Sequence, residues 1–214
     1  LSYVRIEYAG ALFSEKNELN GLALQGVGSG TKLDHIQVHM GQDDGIEFFG
    51  GNVNVKYLLI TGAADDSMDW TEGWRGKAQF VVVQHYDDDS DNGIEADNNG
   101  DDNAAQPRSK PTIYSITLIG SPNSAKSDIG MLLREGTAAS IHNAIIMSFN
   151  EACLNIDQAE TFTNAWDAAN SKLNGELQLT HSLLSCAKSF KEDAADLFSV
   201  SDFFNTLNAG NQVT

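Results

Sequence analysis

Pairs of acidic residues recur along this chain at intervals that a repeating fold would superimpose. Asp43-Asp44 is followed by Asp65-Asp66 and then by Asp91-Asn92, 22 and 26 residues further on. Three residues after the second member of each pair comes another acid: Glu47, Asp69 and Glu95. If every pair occupies the same point of a coil, Asp43, Asp65 and Asp91 form one column. Asp44, Asp66 and Asn92 form a second, and Glu47, Asp69 and Glu95 a third. Carboxylates stacked about 5 Å apart repel by about 1–3 kcal/mol per pair at effective dielectrics between 20 and 80. Bound cations, backbone hydrogen bonds or raised pKa values must offset that repulsion. Oxygen donors with no accompanying Cys or His cluster suit calcium rather than zinc. The plainer reading turns one column inward as a hydrogen-bonded ladder and leaves the others solvated.

The acids are densest between residues 87 and 102, which hold eight of them and no Lys or Arg. Asp87, Asp89 and Asp91 alternate like the start of a calcium loop. Counted from Asp87, however, the sixth position is Asn92 rather than Gly and the twelfth is Asn98 rather than Glu, so this is not an EF-hand. An irregular calcium site built from Asp87, Asp89 and Asp91 with Asp43, Asp65, Glu47, Asp69 and Glu95 is the expectation. The histidines at 35, 39, 85, 142 and 181 are scattered and read as surface residues.

The elements that must position these groups are strands. Leu1–Glu7, Leu33–His39, Val55–Thr61 and Ala78–Gln84 superimpose without gaps, and further copies start at Ile113, Ile141 and Leu179. Each alternates with period two, the signature of a strand. Val4, Ile36, Leu58, Val81, Ile116 and Ala144 make one inward column; Ile6, Val38, Ile60, Val83, Leu118 and Ile146 make another. A shorter repeat follows each copy, with Gly21, Gly45, Ser67, Gly93 and Gly130 aligned at a bend suited to positive φ. The gaps lack the periodicity of helical crossovers, and no single coil could bury its own apolar side. The spacing therefore predicts an all-β fold, a right-handed parallel β-helix (solenoid) over residues 1–190 with a helical insertion at about 160–175. Residues 191–214 are a capping tail with a short helix, expected to bury Phe198, Phe203, Phe204 and Leu207 over the last strand edge.

Two further features follow from the alignment. Tyr3, His35, Tyr57 and Phe80 form an outward column that could hold sugar rings or could be a cross-strand aromatic ladder. Outward Leu59, Val82 and Ile145 lie beside it. Cys153 and Cys186 fall on adjacent coils, near enough to bond.

Composition bounds the function. With 13 Lys+Arg against 30 Asp+Glu the net charge is −17, which excludes charge-driven binding to nucleic acid or anionic lipid. No apolar run is long enough to span a membrane. The chain opens on a strand, Leu1-Ser2-Tyr3-Val4, without an initiator Met, and is read as part of a longer protein.

The runs 1–10, 43–51, 74–84 and 91–100, and Leu133-Arg134-Glu135-Gly136, resemble secreted bacterial right-handed β-helix proteins of the pectate-lyase-like superfold, often described as lipoproteins or sorting-signal proteins. The resemblance implies export and a place at the cell surface, with polysaccharide or other surface proteins as partners. It implies no settled activity, because the same superfold carries scaffolds, lyases and hydrolases. A non-catalytic, adhesive or glycan-binding scaffold is the leading expectation. The alternative is a polysaccharide-degrading enzyme. Asp44-Gly45-Ile46 followed one coil later by Asp65-Asp66 is similar to the acid arrangement of polygalacturonase-like glycosidases, which would make Asp44, Asp65 and Asp66 catalytic. That family's Gly-His-Gly and Arg-Ile-Lys segments have no counterpart here. A lyase would need a base beside its metal, for which Arg75, Lys77, Arg108 and Arg134 are available.

Overall fold

A computed structural model of the chain describes residues 1–10, 19–87, 90–167, 169–170 and 172–214. Long and short strands alternate: β1 (Ser2–Glu7), β2 (Leu22–Gln25), β3 (Lys32–His39), β4 (Ile46–Phe49), β5 (Asn54–Thr61), β6 (Met68–Thr71), β7 (Lys77–Gln84), β8 (Ile94–Ala96), β9 (Thr112–Ile119), β10 (Ile129–Leu133), β11 (Ala139–Met147) and β12 (Ala152–Ile156). The odd strands pair in sequence as one parallel sheet and the even strands as another. A chain that returns to the same two sheets on every turn is a parallel β-helix. The register places Ile36 on Leu58, Leu58 on Val81 and Val81 on Ile116, so the inward columns are those the repeat predicts. These residues, together with the Phe48, Trp70 and Trp74 rings, are fully enclosed.

The long strands are not straight. Tyr3, His35, Tyr57, Phe80, Ser115, Asn143 and His181 all have φ between 51° and 59°. Each sits one residue before the inward Val4, Ile36, Leu58, Val81, Ile116, Ala144 and Ser182. A left-handed residue turns the backbone, so every long strand is two short runs meeting at a corner. Leu33, Ile36 and Val38 are all buried, so the step between inward positions is three residues rather than two across the corner. The strict period-two reading fails at that point. At Tyr3, Tyr57, Phe80 and Ser115 the corner is occupied by side chains that αL disfavours, at a cost of about 1–2 kcal/mol each, while Asn143 accepts it more readily; the ladder of hydrogen bonds on both flanks over-determines them.

The aligned glycines have a different reason from the one the sequence suggested. Gly21, Gly45, Gly93 and Gly130 are not among the positive-φ residues. They are small because the coil is crowded: a Cβ on Gly45 would lie 2.4 Å from Ile60 Cγ2 and 2.6 Å from the Ser67 carbonyl oxygen.

Past β12 the coil is interrupted by α1 (Ala159–Ala165), then by an antiparallel pair, β13 (Trp166–Asp167) and β14 (Lys172–Leu173). The insertion is thus part helix and part hairpin. It rejoins the long sheet through β15 (Leu177–Thr180) and β16 (Leu183–Ser185), both on β11. In the tail, Ser199 caps the short helix α2 (Val200–Asp202) by accepting from the Asp202 N–H. Phe203 and Phe204 are buried, Phe198 packs against the core, and the Leu207 side chain lies outside the described residues. The strand β17 (Gln212–Val213) pairs with β16 through Leu183 and Leu184, so the tail covers part of that strand edge.

The Cys153–Cys186 disulfide is present, with Cα atoms 5.6 Å apart across 33 residues. His85 is a correction: it is buried at 1% exposure rather than at the surface. Its ring nitrogens face Ser67 Oγ (3.1 Å) and Ser127 Oγ (2.9 Å), and burial pushes its pKa down to about 4, so it is a neutral core residue.

Two stability measurements check this reading. Ser115→Gly, which accepts the corner conformation freely, should raise stability by about 0.5–1 kcal/mol, whereas Ser115→Val should lower it; thermal melts of the pair should move in opposite directions. Replacing Cys153 and Cys186 by Ala should cost about 3–4 kcal/mol by releasing the closed loop in the unfolded chain, read as a lower denaturation midpoint.

Candidate functional site

The acid columns follow from stacking the short strands. β2, β4, β6, β8, β10 and β12 align Ala23, Glu47, Asp69, Glu95, Leu132 and Asn155 in one row. Asp44 and Asp66 sit in the tight turns that enter β4 and β6. The Asp66 N–H donates to Asp44 Oδ1 (3.2 Å), and the Asn92 N–H donates to Asp66 Oδ1 (2.8 Å). Each carboxylate in this column therefore caps the backbone of the next coil, and both are buried. The inward, hydrogen-bonded ladder is the arrangement that the second column adopts.

Burial governs the electrostatics. Removal from water, followed by the charges of Glu47, Asp43 and Asp65, pushes Asp44 up to about 9. Asp66 and Asp69 are raised well above the usual carboxylate range by the same removal from water, with neighbouring carboxylates adding to it. Glu47 is raised by burial as well, while the Asn20 amide that donates to it opposes the shift. Glu95 is pushed up to about 7 by burial, opposed by Arg134. Arg134 pairs with Glu95 and holds Asp97 through Nε at 2.9 Å and Nη2 at 3.1 Å. A lone base in the sequence thus proves to be the neutralising partner of one end of the acid row; its tie to Glu95 crosses 39 residues and leaves no local signal.

Three groups of carboxylates bring ligand atoms within 4.8 Å of one another: Asp43 with Asp44 and Asp65; Asp44 with Glu47 and Asp69; Asp65 with Asp66 and Asp91. Six of the eight acids expected to bind metal lie in these groups or, for Glu95, on the same row. The loop acids divide differently. Asp87 is turned toward the neighbouring coil, accepting from Ser121 Oγ and from Asn123 Nδ2 (3.3 Å), and joins none of the groups found among the described residues. Asp89 lies outside the described residues. Asp91 is pushed up to about 6, chiefly by burial and then by Asp128 and Asp65. It borders an open depression of about 340 Å³ with Asp65, Lys126 and Asp128, two of which the sequence reading did not single out.

The aromatic column is a continuous stack. Ring centroids are 4.3 Å apart for Tyr3–His35, 4.5 Å for His35–Tyr57 and 5.3 Å for Tyr57–Phe80, all within 29° of parallel. The Lys56 ammonium lies 5.2 Å from the centroids of both Tyr57 and Phe80. The faces of His35 and Tyr57 are engaged with neighbouring rings, and Lys56 lies over Tyr57 and Phe80, so this part of the column presents mainly ring edges outward, while Tyr3 ends the stack exposed. Beside it, Tyr57, Leu59, Phe80, Val82 and Ile145 line a shallow apolar depression of about 600 Å³.

A family model described as a pectate-lyase like beta helix domain matches residues 1–213. The chain belongs to this family. No curated protein and no solved structure matches it.

Within the pectate-lyase-like beta helix family the stacked parallel ladders are accounted for, while the activity must be argued from the site. Asp44 and Asp66 are held by backbone N–H groups under the surface; Asp65 alone of the three glycosidase-like acids is exposed. Of the available bases, Arg75 donates to the Arg108 carbonyl and Arg108 to the carbonyls of Asn103 and Gly136, away from Asp44. No Lys or Arg ion pair reaches Asp44, Asp65 or Asp66 through a salt bridge found among the described residues.

The raised carboxyls make stability depend on pH. In the unfolded chain these groups ionise near 4, and folded Asp44 holds its proton to about 9. The folded state binds more protons across that range, so its stability falls as pH rises through it. Melting temperature in EDTA should therefore drop between pH 5.5 and 8.5, and Asp44→Asn, which keeps an oxygen acceptor for the Asp66 N–H, should flatten the slope.

Proposed function

We propose that this protein is a non-catalytic β-helix scaffold of the cell exterior that adheres to glycan or to other surface proteins. The observation that carries this reading is the use of Asp44 and Asp66 as buried inter-coil caps. A general acid or base must reach its substrate's proton, within hydrogen-bond range or through one water. Carboxylates enclosed in the turn ladder are poorly placed for that. A disulfide fits an oxidising compartment, in keeping with a secreted or surface location. The adhesive surface is the flank formed by Tyr57, Leu59, Phe80, Val82 and Ile145, with Lys32, Lys56 and Lys77 lining the adjoining depression of about 520 Å³. Because the ring faces stack on one another, a sugar would meet ring edges and apolar side chains rather than lie flat on an aromatic platform.

A polysaccharide-degrading enzyme remains the second reading, favoured by one place. Asp65, Asp91, Lys126 and Asp128 surround an open depression, and Asp91 titrates at about 6. Such a group would suit proton transfer near neutral pH.

Incubation with neutral and acidic polysaccharides separates the two. The scaffold should release no reducing ends or unsaturated products, and immobilised polysaccharide or surface extract should retain it. Tyr57→Ala with Phe80→Ala should weaken retention at least tenfold without unfolding the chain. Product release that disappears in Asp91→Asn would establish the enzyme instead.

A further inference from the structure

We propose that Asp44, Glu47 and Asp69 form a closed divalent-cation site, with calcium as its ion, set between the coils of β4 and β6. This goes beyond the scaffold reading and stands or falls separately from it. One ligand atom from each carboxylate lies within 4.8 Å of the others, and all three residues are buried. That separation suits a single ion bound at about 2.3–2.6 Å from each oxygen.

Asp69 supplies the independent observation. It is only 8% exposed, and its Oδ1 is buried without a hydrogen-bond partner. Buried polar atoms are almost always paired, and one that is not calls for a specific explanation. No Lys or Arg forms an ion pair with Asp44, Glu47 or Asp69 among the described residues. The same row contains its own comparison. One coil further on, Glu95 is met by Arg134. Where an arginine is in reach, it neutralises the row; at Glu47 and Asp69 that role is left to an ion.

The neighbouring group offers a route inward. Asp44 belongs also to the trio with Asp43 and exposed Asp65, so carboxylates lead from the surface to the buried end. The donor set is all oxygen, which favours a hard cation, and calcium tolerates irregular geometry better than magnesium.

The experiment uses the full chain stripped of metal and titrated with calcium chloride. Calorimetry should show one site per chain. Calcium at a hundred times its dissociation constant should raise the melting temperature by about 5–10 °C, and magnesium should do less. Terbium bound in its place should luminesce through tryptophan, since Trp70 follows Asp69 directly. Asp69→Asn should abolish the calcium response, because it removes the carboxylate whose Oδ1 is buried without a partner. Glu47→Gln should weaken binding at least tenfold, and Asp87→Asn should leave it unchanged. Coincident wild-type melts in EDTA and calcium, terbium emission sensitised by tyrosine alone, or loss of binding in Asp87→Asn instead of the cage variants would each overturn the proposal.

Discussion

Parallel stacking of one coil on the next is the constraint from which the rest of this structure follows. Each backbone N–H and C=O of a strand is met by the coils above and below, so position within the coil is inherited from turn to turn. A residue type that suits one turn is placed directly against its equivalents. For Ile36, Leu58, Val81 and Ile116 this produces a continuous apolar column. For Tyr3, His35, Tyr57 and Phe80 it produces a stack of rings. For acids the same geometry is adverse, because like charges gain nothing from being neighbours.

The acidic rows show three ways of meeting that difficulty. In the Asp44–Asp66–Asn92 column each carboxylate accepts a backbone N–H of the following coil, and the third rung is a neutral amide. At Glu95 and Asp97 an arginine from a later coil supplies the charge. At Glu47 and Asp69 the described protein groups supply neither in full. The difference arises over adjacent turns of one sheet, where backbone geometry is nearly constant. It therefore reflects which side chains the intervening loops deliver to the face, rather than the fold itself.

The corner residues illustrate how a solenoid sustains local strain. Seven non-glycine residues hold left-handed φ values in register. An isolated strand would relax such a residue to an extended conformation. Here the hydrogen bonds on both flanks would have to break together, so the cost is carried by the whole sheet. The outcome is an exposed ridge whose side chains stand close enough to stack, next to the apolar flank on which the adhesive reading rests.

The sequence by itself determined the coil. Apolar alternation at Leu33–His39, Val55–Thr61 and Ala78–Gln84 fixes inward and outward positions locally, and repetition carries that register along the chain, so the columns and the Cys153–Cys186 pairing were legible without coordinates. The acid rows were legible for the same reason. Three things were not. The corner at Tyr57 and its equivalents hides inside an apparently continuous strand, because a single αL residue leaves no compositional mark unless it is Gly or Asn. The glycines at 21, 45, 93 and 130 look like turn glycines, yet the demand for them is steric and comes from side chains such as Ile60 on another strand. His85, Arg134 and the buried Asp69 oxygen acquire their roles from partners tens of residues away or from the absence of one. Short-range pattern specifies where a side chain sits on its coil; burial, charge pairing and the order among stacked acids depend on what distant loops place against it, and only the tertiary structure decides that.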